Sequence, residues 1–287
     1  GEVLGQRYSL RYASSLHMLN LTDLRSERQQ KTTPWHYTKL CLLSRPAVHG
    51  PEDSALPNSA LETALVQRVW SSNPRDVAGG APVVGSLRTP APTASSKSLA
   101  AKAEVLDFGV KLNQARCLHV CCPIVYRPQP AVLLAAGPGG GGGDGENVTN
   151  KGGGRSIAFN ASMVLERLSM PHCGVVVFSR GGVCNEITHV SQLESAAKSA
   201  GAAGRGLASL TDSLLLAGAQ SCVVPLWNSP VASLPNLLLL LRFYNELPRV
   251  ATEERPVATA LRVAQQWLRR ASFSELRKEV VTSRVFE

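Results

Sequence analysis

The sequence has few aromatic side chains and lacks an apolar run long enough to cross a membrane. Only 5% of the residues are Phe, Trp or Tyr, whereas 44% are hydrophobic, so we expect a core of mainly Leu, Val and Ala. A membrane-spanning helix needs about 18 consecutive apolar residues. The most apolar stretch, LPNLLLLLRFYNEL, is interrupted by Arg242 and Asn245 and is interpreted as a buried helix. We predict no contact with a membrane.

The start of the chain lacks the pattern of a signal peptide. The first residues, GEVLGQRYSL, contain no basic segment followed by an apolar core. Because the chain begins at Gly1 without an initiator methionine, we expect a piece of a longer protein.

The cysteines lack the spacing of a disulfide framework or of a structural zinc site. There are seven, an odd number, and no two of them form a C-x-x-C pair. Most of them lie in apolar, strand-like stretches, where cysteine behaves as a small hydrophobic residue. We therefore predict reduced thiols, an intracellular, cytoplasmic location and no metal site.

The glycine-rich segment lacks the signature of a phosphate-binding loop. That loop requires G-x-x-x-x-G-K followed by Ser or Thr, whereas Lys151 is followed by Gly152 in GPGGGGGDGENVTNKGGGR. We predict a flexible insert here, and no cofactor. The net charge of +9 is not concentrated, since no run of basic residues is longer than two. The charge pattern therefore argues against nucleic acid as a partner.

What the sequence does contain is an alternation of strand-like and helical segments. Short apolar runs such as KLCLL, CLHVC and VVVF alternate with amphipathic stretches such as LPNSALETALVQRVW and RPVATALRVAQQWLRR. This order predicts an α/β fold with a largely parallel sheet. We predict one domain over residues 1–287, with low-complexity, mobile inserts at about 71–100 and 137–155. Within it we expect a strand followed by a short helix over YSLRYASSLHML, a further helix over KAEVLDFGVKLNQA and a fourth strand over QPAVLLAAG.

Several motifs resemble those of the CHAT domain, a caspase-like domain often found after tetratricopeptide repeats. LLAGA, SCVVPLW, FYNEL and ALRVAQQWL resemble the family's A-F-L-x-A-G-A, S-V-V-x-S-L-W, F-Y-x-x-L and A-L-R-x-A-Q-x-x-L. YSLRYASSLHML and LPNSALE resemble its N-terminal motifs. The resemblance implies a three-layer caspase-like sandwich with helices on both faces of the sheet, and upstream tetratricopeptide repeats in the same chain.

Active members of this family resemble cysteine peptidases that use a Cys–His pair. LHVCCPI corresponds to their L-H-f-A-t-H-G, so His119 matches the first, non-catalytic His and Pro123 stands at the catalytic His position. VFSRGG corresponds to V-L-S-A-C-x, so Ser179 matches and Gly181 stands at the nucleophile position. The other motif residues retained are Gly218 and Trp227.

The resemblance therefore favours a catalytically inactive domain that binds protein partners as an interaction or scaffold module. The alternative is a cysteine peptidase with a displaced nucleophile, Cys184, which has His172 and His189 nearby in sequence. His119 is a weaker substitute, because a core histidine is the more ordinary interpretation. A metal site of His119, Cys121 and Cys122 would need ligands on opposite faces of one strand. A third hypothesis is nucleic-acid binding driven by the positive charge.

Overall fold

A computed structural model describes sixteen helices and strands of the chain. The described residues are 8, 13, 15–32, 39–44, 59–72, 83–86, 115–121, 124–126, 130–135, 147–149, 155–179, 206–225 and 234–282. The helices are α1 (Leu16–Thr32), α2 (Ser59–Ser72), α3 (Ala161–Arg167), α4 (Gly206–Leu216), α5 (Leu234–Glu246), α6 (Pro256–Arg270) and α7 (Phe273–Thr282). The strands are β1 (Lys39–Ser44), β2 (Val83–Ser86), β3 (Cys117–Cys121), β4 (Ile124–Tyr126), β5 (Pro130–Ala135), β6 (Asn147–Thr149), β7 (Arg155–Asn160), β8 (Val175–Phe178) and β9 (Cys222–Val223).

The main sheet is parallel and has the strand order β2-β1-β3-β8-β9. In the centre, Leu118 pairs with Val176 and Val120 with Phe178. Parallel strands need long crossover connections, and helices of the alternating pattern supply several of them: α2 lies between β1 and β2, and α4 between β8 and β9. The predicted α/β fold with a mostly parallel sheet is confirmed.

Helices cover both faces of this sheet. Because successive side chains of a strand point to opposite faces, each strand contributes to two separate core clusters. Cys117, Val175 and Val177 pack with apolar residues of α2, α5 and α6 in one core cluster. Leu118, Val120, Val176 and Phe178 belong to a second cluster, formed with α3 and α4. Burial on both faces explains why β8, with the sequence VVVF, is apolar at every position.

The ends of the last two helices follow elementary capping rules. Pro256 occupies the first turn of α6, where its missing N–H needs no partner. Arg269 and Arg270 lie in the last turn, where cations favour the helix dipole. At the start of α7, the Ser272 N–H donates to Glu275 Oε2 at 2.7 Å, and the Glu275 N–H donates to Ser272 Oγ at 3.3 Å. This reciprocal capping box determines where α7 begins.

A second, antiparallel sheet has the strand order β4-β5-β7-β6. Residues 130–135, which we expected to add a fourth strand to the series, pair with β4 and β7 in this sheet instead. The stretch 71–100 is not a loop throughout, because β2 pairs with β1 in the main sheet. Likewise, β6 within 137–155 pairs with β7. Apart from Ser71 and Ser72 of α2 and Arg155 of β7, the other residues of the two predicted inserts lie outside the described part of the chain, as do residues 102–114 of the predicted helix.

Two helices depart from the sequence prediction. Residues 16–32 form one helix of 17 residues, where we expected only a short one after a strand. Helix α7 was not predicted at all. Among the described helices, none combines the length and the apolar character that crossing a membrane requires.

Candidate functional site

The carboxyl ends of β3 and β8 lie side by side, and the two family positions follow them in sequence. At this edge the Ser179 N–H donates to the Val120 carbonyl at 3.1 Å, and the Ser179 hydroxyl donates to the same oxygen at 3.4 Å. The Ser179 carbonyl accepts from Asn236 Nδ2 of α5 at 2.8 Å. Ser179 is therefore a buried connector between two strands and a helix.

His119 lies in the middle of β3 and is completely buried. Its Nδ1 lies 2.9 Å from the Tyr244 hydroxyl, and its Nε2 lies 3.0 Å from Glu62 Oε1. Both ring nitrogens thus have a partner, one from α5 and one from the first turn of α2. This geometry supports the interpretation of His119 as a satisfied core residue that ties two helices to the sheet.

Tyr244 is enclosed by aromatic rings and remains a neutral phenol. The rings of Trp70, His119 and Phe243 lie edge-on to it, with centroids 5.2–5.9 Å away. Burial, followed by the nearby Cys117 and Glu62, raises the pKa of Tyr244 well above its ordinary value. A neutral hydroxyl can both donate and accept a hydrogen bond, so it suits either tautomer of His119.

A third polar side chain, Cys121, lies beside the pair formed by His119 and Glu62. One ligand atom from each of Glu62, His119 and Cys121 lies within 4.8 Å of the other two. His119 and Cys121 point to the same face of β3 because they are two residues apart. Sulfur, nitrogen and carboxylate oxygen together form a set that could bind a transition-metal ion.

The cysteines whose side chains the structure describes are poorly suited to act as nucleophiles. Cys117, Cys121 and Cys173 form no disulfide and have no solvent exposure. Cys222 is half-buried, and burial of its thiol, together with the nearby Cys173 and Asp212, raises its pKa well above the ordinary range. Attack on a carbonyl requires the thiolate, and enclosure in the core disfavours that form.

Gly218 has a structural reason to be glycine. Its φ is +125°, and a Cβ there would lie 2.7 Å from the backbone carbon and oxygen of Met170. The neighbouring Ala217 carbonyl accepts from the Met170 N–H at 2.6 Å, and the Ala219 N–H closes the end of α4 on Leu214. The A-G-A motif therefore forms a tight turn that packs against the segment leading into β8.

The remaining residues that the sequence singled out divide into two groups. His172 is exposed and lies before β8, so the strand separates it from Ser179 at the other edge of the sheet. The length of the four-residue strand β8, at roughly 3.3 Å per residue, places His172 too far away to act as the base for a nucleophile next to Ser179. Outside the described residues lie Pro123, Gly181, Cys184, Cys122, His189 and Trp227.

The fold is thus an α/β sandwich with a parallel sheet and a buried histidine in the middle of β3, its central strand. A family model described as the CHAT domain matches residues 1–278. The chain therefore belongs to the CHAT-domain family, whose fold is caspase-like. No curated protein and no solved structure matched the chain.

Sequence reasoning missed Glu62 and Tyr244 as partners of His119. Glu62 is the last residue of the LPNSALE motif, and Tyr244 is the second residue of FYNEL. Three family-like motifs, LPNSALE, LHVCCPI and FYNEL, meet at this buried histidine. Their presence together in the sequence was the signal that could have indicated the contact. Because Glu62 and Tyr244 lie 57 and 125 residues from His119 in sequence, no local pattern reveals these contacts.

Proposed function

We propose that this chain is a catalytically inactive CHAT domain that serves as a protein-interaction or scaffold module of a protein with tetratricopeptide repeats. The observation that carries the proposal is the pair of residues at the two working positions of the family motifs, Pro123 and Gly181. Proline and glycine have no side chain that can transfer a proton or attack a carbonyl. Because nucleophile and base act as one unit, losing both removes nearly all of the catalysis.

The described groups that could replace the missing pair are poorly placed for the reaction. His119 is sealed in the core between Glu62 and Tyr244, so a substrate would have to displace a helix to reach it. A general base must lie within about 3 Å of the proton it removes, and the exposed His172 lies at the other edge of the sheet.

The fold that carries the two substituted catalytic positions has a well-packed core, which favours a function that depends on the surface of the folded domain. Trp70, Phe243 and Tyr244 are completely buried on one side of the sheet, and Val164 and Met170 on the other. Such a core maintains a rigid surface, and tetratricopeptide repeats would add an extended binding surface of their own. Cys117, Cys121, Cys173 and Cys222 form no disulfide, which supports an intracellular, reducing location.

The first experiment is labelling of the purified chain with a thiol-reactive peptide electrophile. We expect labelling no faster than that of free cysteine, and the same rate in Cys184→Ala. Stoichiometric labelling that disappears in Cys184→Ala would establish the displaced-nucleophile peptidase instead. A Pro123→His, Gly181→Cys variant is the positive control, because it restores the family pair in the same fold.

The interaction role needs a second experiment on the full-length protein in cells. Leu16 and Phe273 are 81% and 82% exposed, so Leu16→Glu and Phe273→Glu test the surface without touching the core. We expect proximity labelling to recover a reproducible set of neighbouring proteins, reduced by at least one of these variants and unchanged by Cys184→Ala. If no neighbour exceeds the level of an unrelated protein of similar charge, the scaffold role is wrong.

A further inference from the structure

We propose that Glu62, His119 and Cys121 form a binding site for a divalent transition-metal ion of the zinc type, which joins α2 to β3 inside the core. The observation is the convergence of three different ligand atoms, all within 4.8 Å of one another, on one face of the sheet. This site goes beyond the interaction role and does not depend on it.

The distances suit a small ion with nitrogen and sulfur ligands. Zinc bonds of about 2.0–2.3 Å in a tetrahedron place the ligand atoms roughly 3.3–3.7 Å apart. His119 Nε2 and Glu62 Oε1 are 3.0 Å apart, and no pair in the cluster exceeds 4.8 Å. Side-chain rotations that shift the ligand atoms by about 1 Å therefore bring their separations into the range of a tetrahedral zinc site. A water molecule would fill the fourth position.

The charges also balance, which matters because the site is buried. His119 and Cys121 have no solvent exposure, and the Glu62 side chain is only 12% exposed. A dication with one thiolate, one carboxylate and one neutral imidazole has no net charge, so the low dielectric of the core imposes little penalty. The thiolate selects against Mg²⁺ and Ca²⁺, which prefer oxygen ligands, and favours Zn²⁺ or Co²⁺.

Tyr244 provides the outer contact that a metal-bound histidine requires. With Nε2 on the metal, the imidazole proton moves to Nδ1, which then donates to the Tyr244 hydroxyl 2.9 Å away. The hydroxyl can accept this bond as readily as it donates in the metal-free tautomer. Metal binding releases the Cys121 proton to solvent and forms a metal–sulfur bond. Such outer partners fix the tautomer and orientation of the ligand.

The test is a Co²⁺ titration of the purified chain after treatment with a chelator. We expect one equivalent to bind with a thiolate-to-cobalt charge-transfer band in the near ultraviolet, and one equivalent of Zn²⁺ to abolish the band. Cys121→Ala, which introduces the residue that the family motif has at this position, should lose the band and weaken Zn²⁺ binding more than about 100-fold. Tyr244→Phe, which leaves all three ligands in place, should weaken it by roughly 10- to 100-fold.

The matched control is Cys173→Ala, which removes an equally buried thiol on the opposite face of the sheet. This variant should bind both metals as the wild type does. Glu62→Gln provides an independent ligand change in case a cysteine variant is unstable, with circular dichroism as the check on folding. Absence of the charge-transfer band in the wild type, or its survival in Cys121→Ala, would overturn the proposal.

Discussion

The hydrogen bond between Tyr244 and His119 offers the cleanest test of the buried site, because Tyr244→Phe removes one oxygen and leaves the ring in place. The hydroxyl is fully buried and lies 2.9 Å from Nδ1 of His119. Losing one such bond and leaving its buried partner unsatisfied costs about 1–3 kcal/mol. We expect a lower free energy of unfolding by that amount. The melting temperature should then fall by roughly 2–4 °C per kcal/mol.

Urea denaturation of the metal-free chain, monitored by tryptophan fluorescence, measures this change. Tyr8→Phe is the matched control, because the same atom is removed at a residue that is 52% exposed, and we expect a change within about 0.5 kcal/mol. A double-mutant cycle with Glu62→Gln should show a coupling of about 0.5–3 kcal/mol through the shared imidazole. If Tyr244→Phe and Tyr8→Phe are equally stable, the reasoning about His119 is refuted.

Three further perturbations test other parts of the fold. Gly218→Ala should cost about 2–6 kcal/mol in urea denaturation, from positive φ and contact with backbone atoms; a loss below about 1 kcal/mol would contradict the turn geometry. Glu246→Ala should cost about 1–3 kcal/mol, because its carboxylate, 8% exposed, pairs with two arginines, whereas Glu254→Ala, 86% exposed, should be neutral. Hydrogen bonds from the backbone N–H and then the hydroxyl of Ser272 lower the pKa of Glu275 below its ordinary value of 4.5, so in Ser272→Ala, which removes the hydroxyl, carboxyl NMR titration should show that pKa moved upward. Since the folded pKa is depressed, this contribution to stability is present above pH 4.5 and disappears as the pH falls through the folded pKa.

The architecture was predictable because local patterns carry it. Strands such as VVVF are apolar at every position, which indicates burial on both faces, and the helices between them have amphipathic stripes. The antiparallel β4-β5-β7-β6 sheet was missed, because a short apolar strand does not reveal which neighbour it pairs with.

The candidate site was only partly predictable. The sequence predicts that Pro123 and Gly181 stand at the two working positions, since this prediction depends only on the identity of single residues in a recognisable motif. It did not show where the polar groups of the core meet. Because His119 and Cys121 share a face of β3, a metal site needs no ligand from the opposite face, and the third ligand comes from α2.

By itself, then, the sequence determined the strand and helix alternation and the two-sided burial of the sheet, and it predicts the residues at the family's working positions. Only the tertiary structure decided that Glu62, His119 and Tyr244 share one buried cluster, and that Gly218 is needed because its Cα packs on the Met170 backbone. The reason is physical: periodicity and motifs act over a few residues, whereas these contacts join segments 48 to 125 residues apart, and the packing of helices on the sheet brings them together.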